Sequence, residues 1–195
     1  MIVYCATSNP GKLREFRLAG ETFGRGRLQV ETVPGLREIP PPHETGETFE
    51  ANAIEKALYY ARFVDGLLFA DDSGLEVDAL NGAPGVYSAR YAGEGATDRA
   101  NNELLLSKLR DQANRGAQFV CAIALVEGTK VVNTFQGVVR GRIIDEARGG
   151  EGFGYDPLFL YEPFGCTFGE ADAEAKMRVS HRAQALAAMF SWLAG

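Results

Sequence analysis

Residues 119–126, Phe-Val-Cys-Ala-Ile-Ala-Leu-Val, are apolar without a break. A strand with one wet face alternates apolar and polar side chains, whereas an unbroken run is expected of a strand covered on both faces. This stretch therefore demands a layered fold, with packing partners on either side of a sheet. Glu127-Gly128-Thr129-Lys130 then reads as a hairpin turn into a long strand over 131–144, an antiparallel pairing that makes the sheet mixed. Further strands are expected at 2–6, 28–33 and 158–161. Covering helices follow from apolar residues at helical spacing. Leu13 and Phe16 predict one over about 11–21. Phe49, Ala53, Ile54, Ala57, Leu58 and Ala61 predict a second, with Thr48 as N-cap and Glu50 at its positive end. Ala100, Leu104, Leu105 and Leu109 give a third, capped by Thr97 or Asp98 and running to about Ala113, with Asn101 and Asn102 on its solvent side. Ala185, Leu186, Met189, Phe190 and Leu193 form the stripe of a last helix through Trp192. The expectation is an α/β fold in which 195 residues form a single domain, 1–195, with room for two lobes. No internal repeat, low-complexity tract or linker interrupts it.

Charge and cysteine content narrow the function. A formal net charge of −6 argues against a broad cationic surface for duplex nucleic acid, while leaving room for a local basic pocket. The first residues already read as a strand rather than a secretory signal, and no apolar run approaches membrane-spanning length, so no membrane partner is expected. Cys5, Cys121 and Cys166 are odd in number and widely spaced, which suits reduced thiols in the cytoplasm better than a disulfide framework. With only His43 and His181, a histidine-rich metal centre is not expected.

The most unusual chemistry lies where the apolar run 66–70 ends in Asp71-Asp72-Ser73-Gly74, followed by a second apolar piece at 75–80 and a Gly82-Ala83-Pro84-Gly85 turn. Two readings stand side by side: a hydrophilic turn, or a metal or catalytic site. Neighbouring carboxylates on an extended chain point to opposite faces. Only one of Asp71 and Asp72 can then look into a given cleft, while the other braces the turn.

Other polar outliers bear on that choice. Thr7-Ser8-Asn9-Pro10-Gly11-Lys12 joins the first strand to the first helix, where free N–H groups and the positive end of the dipole make an anion cradle. It is not a Walker A loop, because Ala6 and Leu13 break the GxxxxGK[ST] pattern. Lys12 reads equally as a solvated lysine or a phosphate ligand. Glu44 sits in a proline-rich loop, and Asn52 and Lys56 share one helical stripe. Residues 149–157 hold four glycines but no GxGxxG register, and Phe153 and Tyr155 there suit a planar ring better than water. Ser180 caps the last helix, which puts His181 and Arg182 in a first turn where cations are unfavourable. A function accounts for that placement better than helix stability does. Carboxylates, lysines, an arginine and an aromatic glycine loop together are what a Mg²⁺-dependent nucleotide site requires. No Ser-His-Asp order accompanies them.

The chain resembles the inosine triphosphate pyrophosphatase family, enzymes that hydrolyse non-standard purine nucleoside triphosphates. The resemblance rests on 7–12, on 70–74 with 82–90, on 152–156, and on Ser180-His181-Arg182, all in the family's order. It implies a two-lobed α/β fold with a long mixed central sheet flanked by helices and an active-site cleft between the lobes. It also implies cleavage of ITP, dITP or XTP to monophosphate and pyrophosphate, Mg²⁺ as cofactor, and usually a homodimer. By matched position, Thr7, Ser8, Asn9, Pro10, Gly11, Lys12 and Lys56 would handle phosphates. Asp72 would be the catalytic carboxylate, with Glu44, Asp71 and Asp72 around Mg²⁺. Ser73, Phe153, Gly154, Tyr155, Asp156, Lys176, His181 and Arg182 would hold the nucleotide, the last two reading the oxidised purine edge. Ser8 stands where many relatives carry Gly. A nucleotide-sensing module without turnover and a pyrophosphatase for modified pyrimidines are the competing readings.

Overall fold

A computed structural model describes residues 1–195. Seven strands form one sheet: β1 (Ile2–Cys5), β2 (Gln29–Thr32), β3 (Leu67–Val77), β4 (Gly116–Glu127), β5 (Lys130–Ile143), β6 (Phe159–Tyr161) and β7 (Cys166–Thr167). Their order is β2-β1-β3-β4-β5-β6-β7. β1 pairs parallel with β2 and β3, whereas β5–β6 and β6–β7 are antiparallel. The two-residue turn at Gly128-Thr129 joins β4 to β5, a connection available only to antiparallel neighbours. The sheet is mixed, as the sequence predicted. Five helices accompany it: α1 (Pro10–Phe23), α2 (Phe49–Tyr60), α3 (Asp98–Leu109), α4 (Ala173–Met177) and α5 (His181–Ala194).

Several boundaries differ for physical reasons. α1 begins at Pro10, which is tolerated in a first turn where its missing N–H is not needed. α3 stops at Leu109, where the buried stripe ends, rather than at Ala113. β7 and α4, of two and five residues, are too short to carry a period and were not anticipated. At the acidic segment the structure excludes the turn, one of the two readings. β3 runs unbroken through Asp71, Asp72, Ser73 and Gly74, so these residues are strand and not turn.

The chain divides into two compact units. The first comprises Met1–Asp72, Cys121–Gly137 and His181–Gly195. The Phe69 ring lies between Phe16 of α1 at 5.0 Å and Phe190 of α5 at 6.4 Å, so these two helices cover the Phe69 face of β3. At Gly137 there is no room for a Cβ against the His181 carbonyl, and this close approach of β5 fixes where α5 starts.

The second unit comprises Ser73–Val120 and Val138–Ser180. Its core is aromatic, with Phe119, Phe159 and Phe168 in mutual contact at 4.5 to 6.2 Å between centroids, packed with Leu75, Leu105 and Leu109. Along β4, every residue from 119 to 126 is buried, which fulfils the double covering its composition demanded.

Candidate functional site

Strand alternation sorts the two adjacent carboxylates of β3. Asp71 shares the Phe69 face with α1 and α5. Its Oδ2 meets Lys12 Nζ at 2.8 Å and Arg182 Nε at 3.4 Å, and Arg182 Nη1 also pairs with Glu15 of α1. The side chains of Asp71 and Arg182 are 1% and 3% exposed, so charge is buried here with its partners. Burial alone would raise the Asp71 pKa, but Lys12, Arg182 and Lys56 outweigh it and hold the carboxyl well below its ordinary range. The same partners explain how Arg182 is tolerated at the positive end of α5: two carboxylates offset the unfavourable dipole.

Asp72 turns to the opposite face, where Asn52 of α2 donates from Nδ2 to its Oδ2 at 3.0 Å. Asn52 is fully buried, and its Oδ1 accepts the Gly46 N–H at 2.8 Å, which fixes the amide end that faces the carboxylate. One turn along α2, Lys56 Nζ binds Glu44 Oε1 at 2.6 Å and the Asp71 carbonyl at 3.0 Å. Burial raises the Asp72 pKa, and the lowering influence of Lys56, Lys12 and Asn52 does not cancel it. The Lys56 pKa is raised as well, but against burial: burial would discharge the ammonium, and Asp72, Glu44 and Asp71 keep it more firmly protonated than a free lysine.

The β1–α1 loop differs from the cradle expected of it. Asn9 Oδ1 accepts from the Gly11 and Lys12 N–H groups, and Thr7 Oγ1 accepts from the Asn9 N–H. The first-turn donors expected to be free are thus already capped. Lys12, its ammonium paired with Asp71, stands in the first turn of α1, while Ser8 and Pro10 lie at the surface. His181, 3% exposed, opens α5 next to Arg182.

In the second unit the glycine-rich loop is ordered by its own residues. Asp156 Oδ2 accepts from the Phe153 N–H at 2.9 Å and from Lys176 Nζ at 2.7 Å, and the Lys176 ammonium lies 5.2 Å from the Phe153 ring centroid. Asp156 and Lys176 are both buried. Tyr155, read as an exposed ring, is 4% exposed, and its hydroxyl donates to the Ser88 carbonyl. Phe153, half-buried, is therefore the ring left for stacking. Ser73 is half-buried where β3 enters this unit.

The structure thus gathers Lys12, Glu44, Lys56, Asp71, Asp72 and Arg182 in one unit, and Phe153, Gly154, Tyr155, Asp156 and Lys176 in the other. It adds Glu15, which is three residues from Lys12 on α1, and Asn52, whose shared stripe with Lys56 was visible without its bond to Asp72. It also adds Asp98 and Asn102, which hold the Gly154 backbone. Asn101 and Asn102 were expected in solvent. Instead Asn101 is 3% exposed and binds the Ala92 N–H and the Ala89 carbonyl.

A mixed α/β sheet with carboxylates and lysines gathered halfway along a central strand is the class that fold and side chains define. The comparisons make it particular. A model of the Ham1 family matches residues 3–192. The dITP/XTP pyrophosphatase of Exiguobacterium sp. is 47% identical over 186 residues, covering 95% of this chain and 93% of that one. The dITP/XTP pyrophosphatase of Desulfotalea psychrophila is 44% identical over 186 residues, covering 95% and 82%. Among solved structures, the Ham1 protein of Staphylococcus aureus superposes with a TM-score of 0.86 at 40% identity, and that of Coxiella burnetii with 0.88 at 38%. Each covers 99% of this chain and 98% of its own. The chain belongs to the Ham1 family.

Proposed function

We propose that this protein hydrolyses non-standard purine nucleoside triphosphates, ITP, dITP and XTP, to the monophosphate and pyrophosphate. The observation that carries the reading is buried Asp72, held by Asn52 and set beside Lys56, in a chain whose relatives at 44% and 47% identity bear the name dITP/XTP pyrophosphatase. Lys12 and Lys56 offset triphosphate charge. The raised pKa of Asp72 makes its carboxylate a stronger base towards water than an ordinary aspartate, and Asn52 fixes the oxygen that accepts the proton. Phe153 takes the face of the base. Ser73, Lys176, His181 and Arg182 complete the proposed nucleotide contacts, and donors aimed at a 6-oxo group are left unpaired by the 6-amino group of ATP.

Mg²⁺ is the proposed cofactor. No three His, Cys, Asp or Glu side chains come together as a ready-made cage. Mg²⁺ in phosphate chemistry instead takes one or two carboxylates together with substrate oxygens and waters. Glu44 and Asp72, coupled through Lys56, fit that donor set. Asp71, engaged by Lys12 and Arg182, serves as the brace. When bound, the metal supplies Lewis-acid stabilisation of phosphate oxygens. A homodimer and a cytoplasmic location belong to the same proposal. No helix is long and apolar enough to cross a membrane, and buried Cys5 and Cys121 suit a reducing compartment.

Initial rates of pyrophosphate release from ITP, dITP, XTP, dUTP and ATP, with and without Mg²⁺, test the reading. Mg²⁺-dependent release from the three oxidised purines supports it. Preference for dUTP favours the pyrimidine reading, and binding without turnover favours a sensor.

A further inference from the structure

The aromatic loop has a second grip besides the buried Asp156–Lys176 pair. Gly154, at a φ of +62°, is held at both of its backbone polar groups by one helix. Its N–H donates to Asp98 Oδ2 at 2.7 Å, and its carbonyl accepts from Asn102 Nδ2 at 3.1 Å. Asp98 and Asn102 are four residues apart on α3, so one face of the helix presents an acceptor and a donor to a single glycine. α3 is itself anchored through Asn101 to the backbone at Ala89 and Ala92. Next to that segment, Tyr155 reaches the Ser88 carbonyl. Loop and helix are therefore tied to the same piece of chain.

We propose that Asp98 and Asn102 are positioning residues that set base discrimination: by fixing Gly154 they fix Phe153, the ring that takes the nucleobase. The inference rests on the nucleotide reading above. A loop rich in glycine has many backbone states, and a small misplacement of a positioning group is enough to cost rate or affinity. The inner brace buries a charge pair and cannot be cut without stranding a charge. The outer clamp is exposed at Asp98 and partly buried at Asn102, so it can be cut while the core stays intact.

The two ends of the clamp make opposite demands on isosteric variants. Asp98→Ala removes the acceptor, and Asp98→Asn restores it through Oδ1. Asn102→Asp removes the donor and sets a carboxylate against the Gly154 carbonyl. Asp98→Ala and Asn102→Asp are expected to raise the KM for ITP about tenfold, the scale of one lost hydrogen bond. Turnover should change about twofold or less, and the ITP-to-ATP ratio of kcat/KM should fall. Asp98→Asn should return both quantities towards the parent. Amide exchange at Gly154 should accelerate in the two disrupting variants while the melting temperature stays near the parent's. Unchanged KM and ratio in Asn102→Asp, despite faster exchange, overturn the role in discrimination. Parallel losses of kcat and melting temperature at constant KM reduce the pair to a structural contact. A parent that releases no pyrophosphate from ITP defeats the nucleotide reading and the discrimination role with it, while exchange at Gly154 still decides whether the clamp exists.

Discussion

The carboxylate cluster of the first unit and the aromatic loop of the second are ordered by different means. Around Asp71 and Asp72, side chains on regular elements hold one another through ion pairs and a buried amide, with β3 supplying the alternation and α1, α2 and α5 the partners. Around Phe153, the backbone itself is held: one N–H by Asp156, and a second N–H and a carbonyl by α3. The contrast suits two tasks. Chemistry on a triphosphate needs fixed charge in a site that costs little reorganisation. Recognition of a ring needs a fixed plane, and glycine backbone supplies it only when something else removes its freedom.

The sharpest way to break this comparison is at Asp72. Asp72→Asn keeps the volume and an acceptor for Asn52 but removes the base. Turnover should fall about 10²- to 10⁴-fold with the melting temperature near that of the parent, as followed by pyrophosphate release and calorimetry. Near-normal turnover would move the chemistry elsewhere. Lys176→Met on α4, beneath the loop, should cost stability as well as nucleotide contact. It leaves Asp156 buried without its cation and should destabilise by about 3–5 kcal/mol in urea unfolding, whether or not substrate is present. A loss below about 1 kcal/mol would mean that the loop does not depend on the pair.

How legible each region was in the sequence follows from the same contrast. Period-two alternation through Asp71 and Asp72 assigned them to opposite faces, and four-residue spacing put Asn52 and Lys56 on one stripe of α2. Regular elements carry such information because their geometry is fixed. The sequence left a turn open at Asp-Asp-Ser-Gly beside that alternation, because these residues are turn formers and only tertiary pairing carries β3 on to Val77. It could not say that Asn9 would spend its side chain on α1, or that Asn102 would face a glycine 52 residues away. Loop contacts of that separation leave no periodic trace. Tyr155 misled for a related reason: an aromatic residue in a glycine loop looks exposed until the Ser88 carbonyl that receives its hydroxyl is known.

Acid sharpens the comparison at a smaller scale. Asp71 has a folded-state pKa depressed below its unfolded value of about 4, so the unfolded chain binds that proton first as pH falls. Its stabilisation is complete above about pH 5 and drains away below about pH 4. Asp72 has the opposite sign: its raised pKa contributes stability on the acid side, which is lost as pH rises through the folded value. Urea unfolding between about pH 3 and 5 should therefore lose a large part of its pH slope in Asp71→Asn. An unchanged slope would remove Asp71 from the charge network. The smallest effect is expected outside both regions. Arg99 and Glu103 pair at 2.8 Å on the exposed side of α3 with 88% and 64% exposure, and Arg99→Ala should leave the urea midpoint indistinguishable from the parent's.

The central claim concerns the bond that is broken. Phosphorus NMR of the products formed from ITP in the presence of Mg²⁺ reads it directly. The account predicts inosine monophosphate and pyrophosphate in equal amounts, with ATP left largely intact over the same time. Orthophosphate with inosine diphosphate, or equal consumption of ITP and ATP, would contradict it.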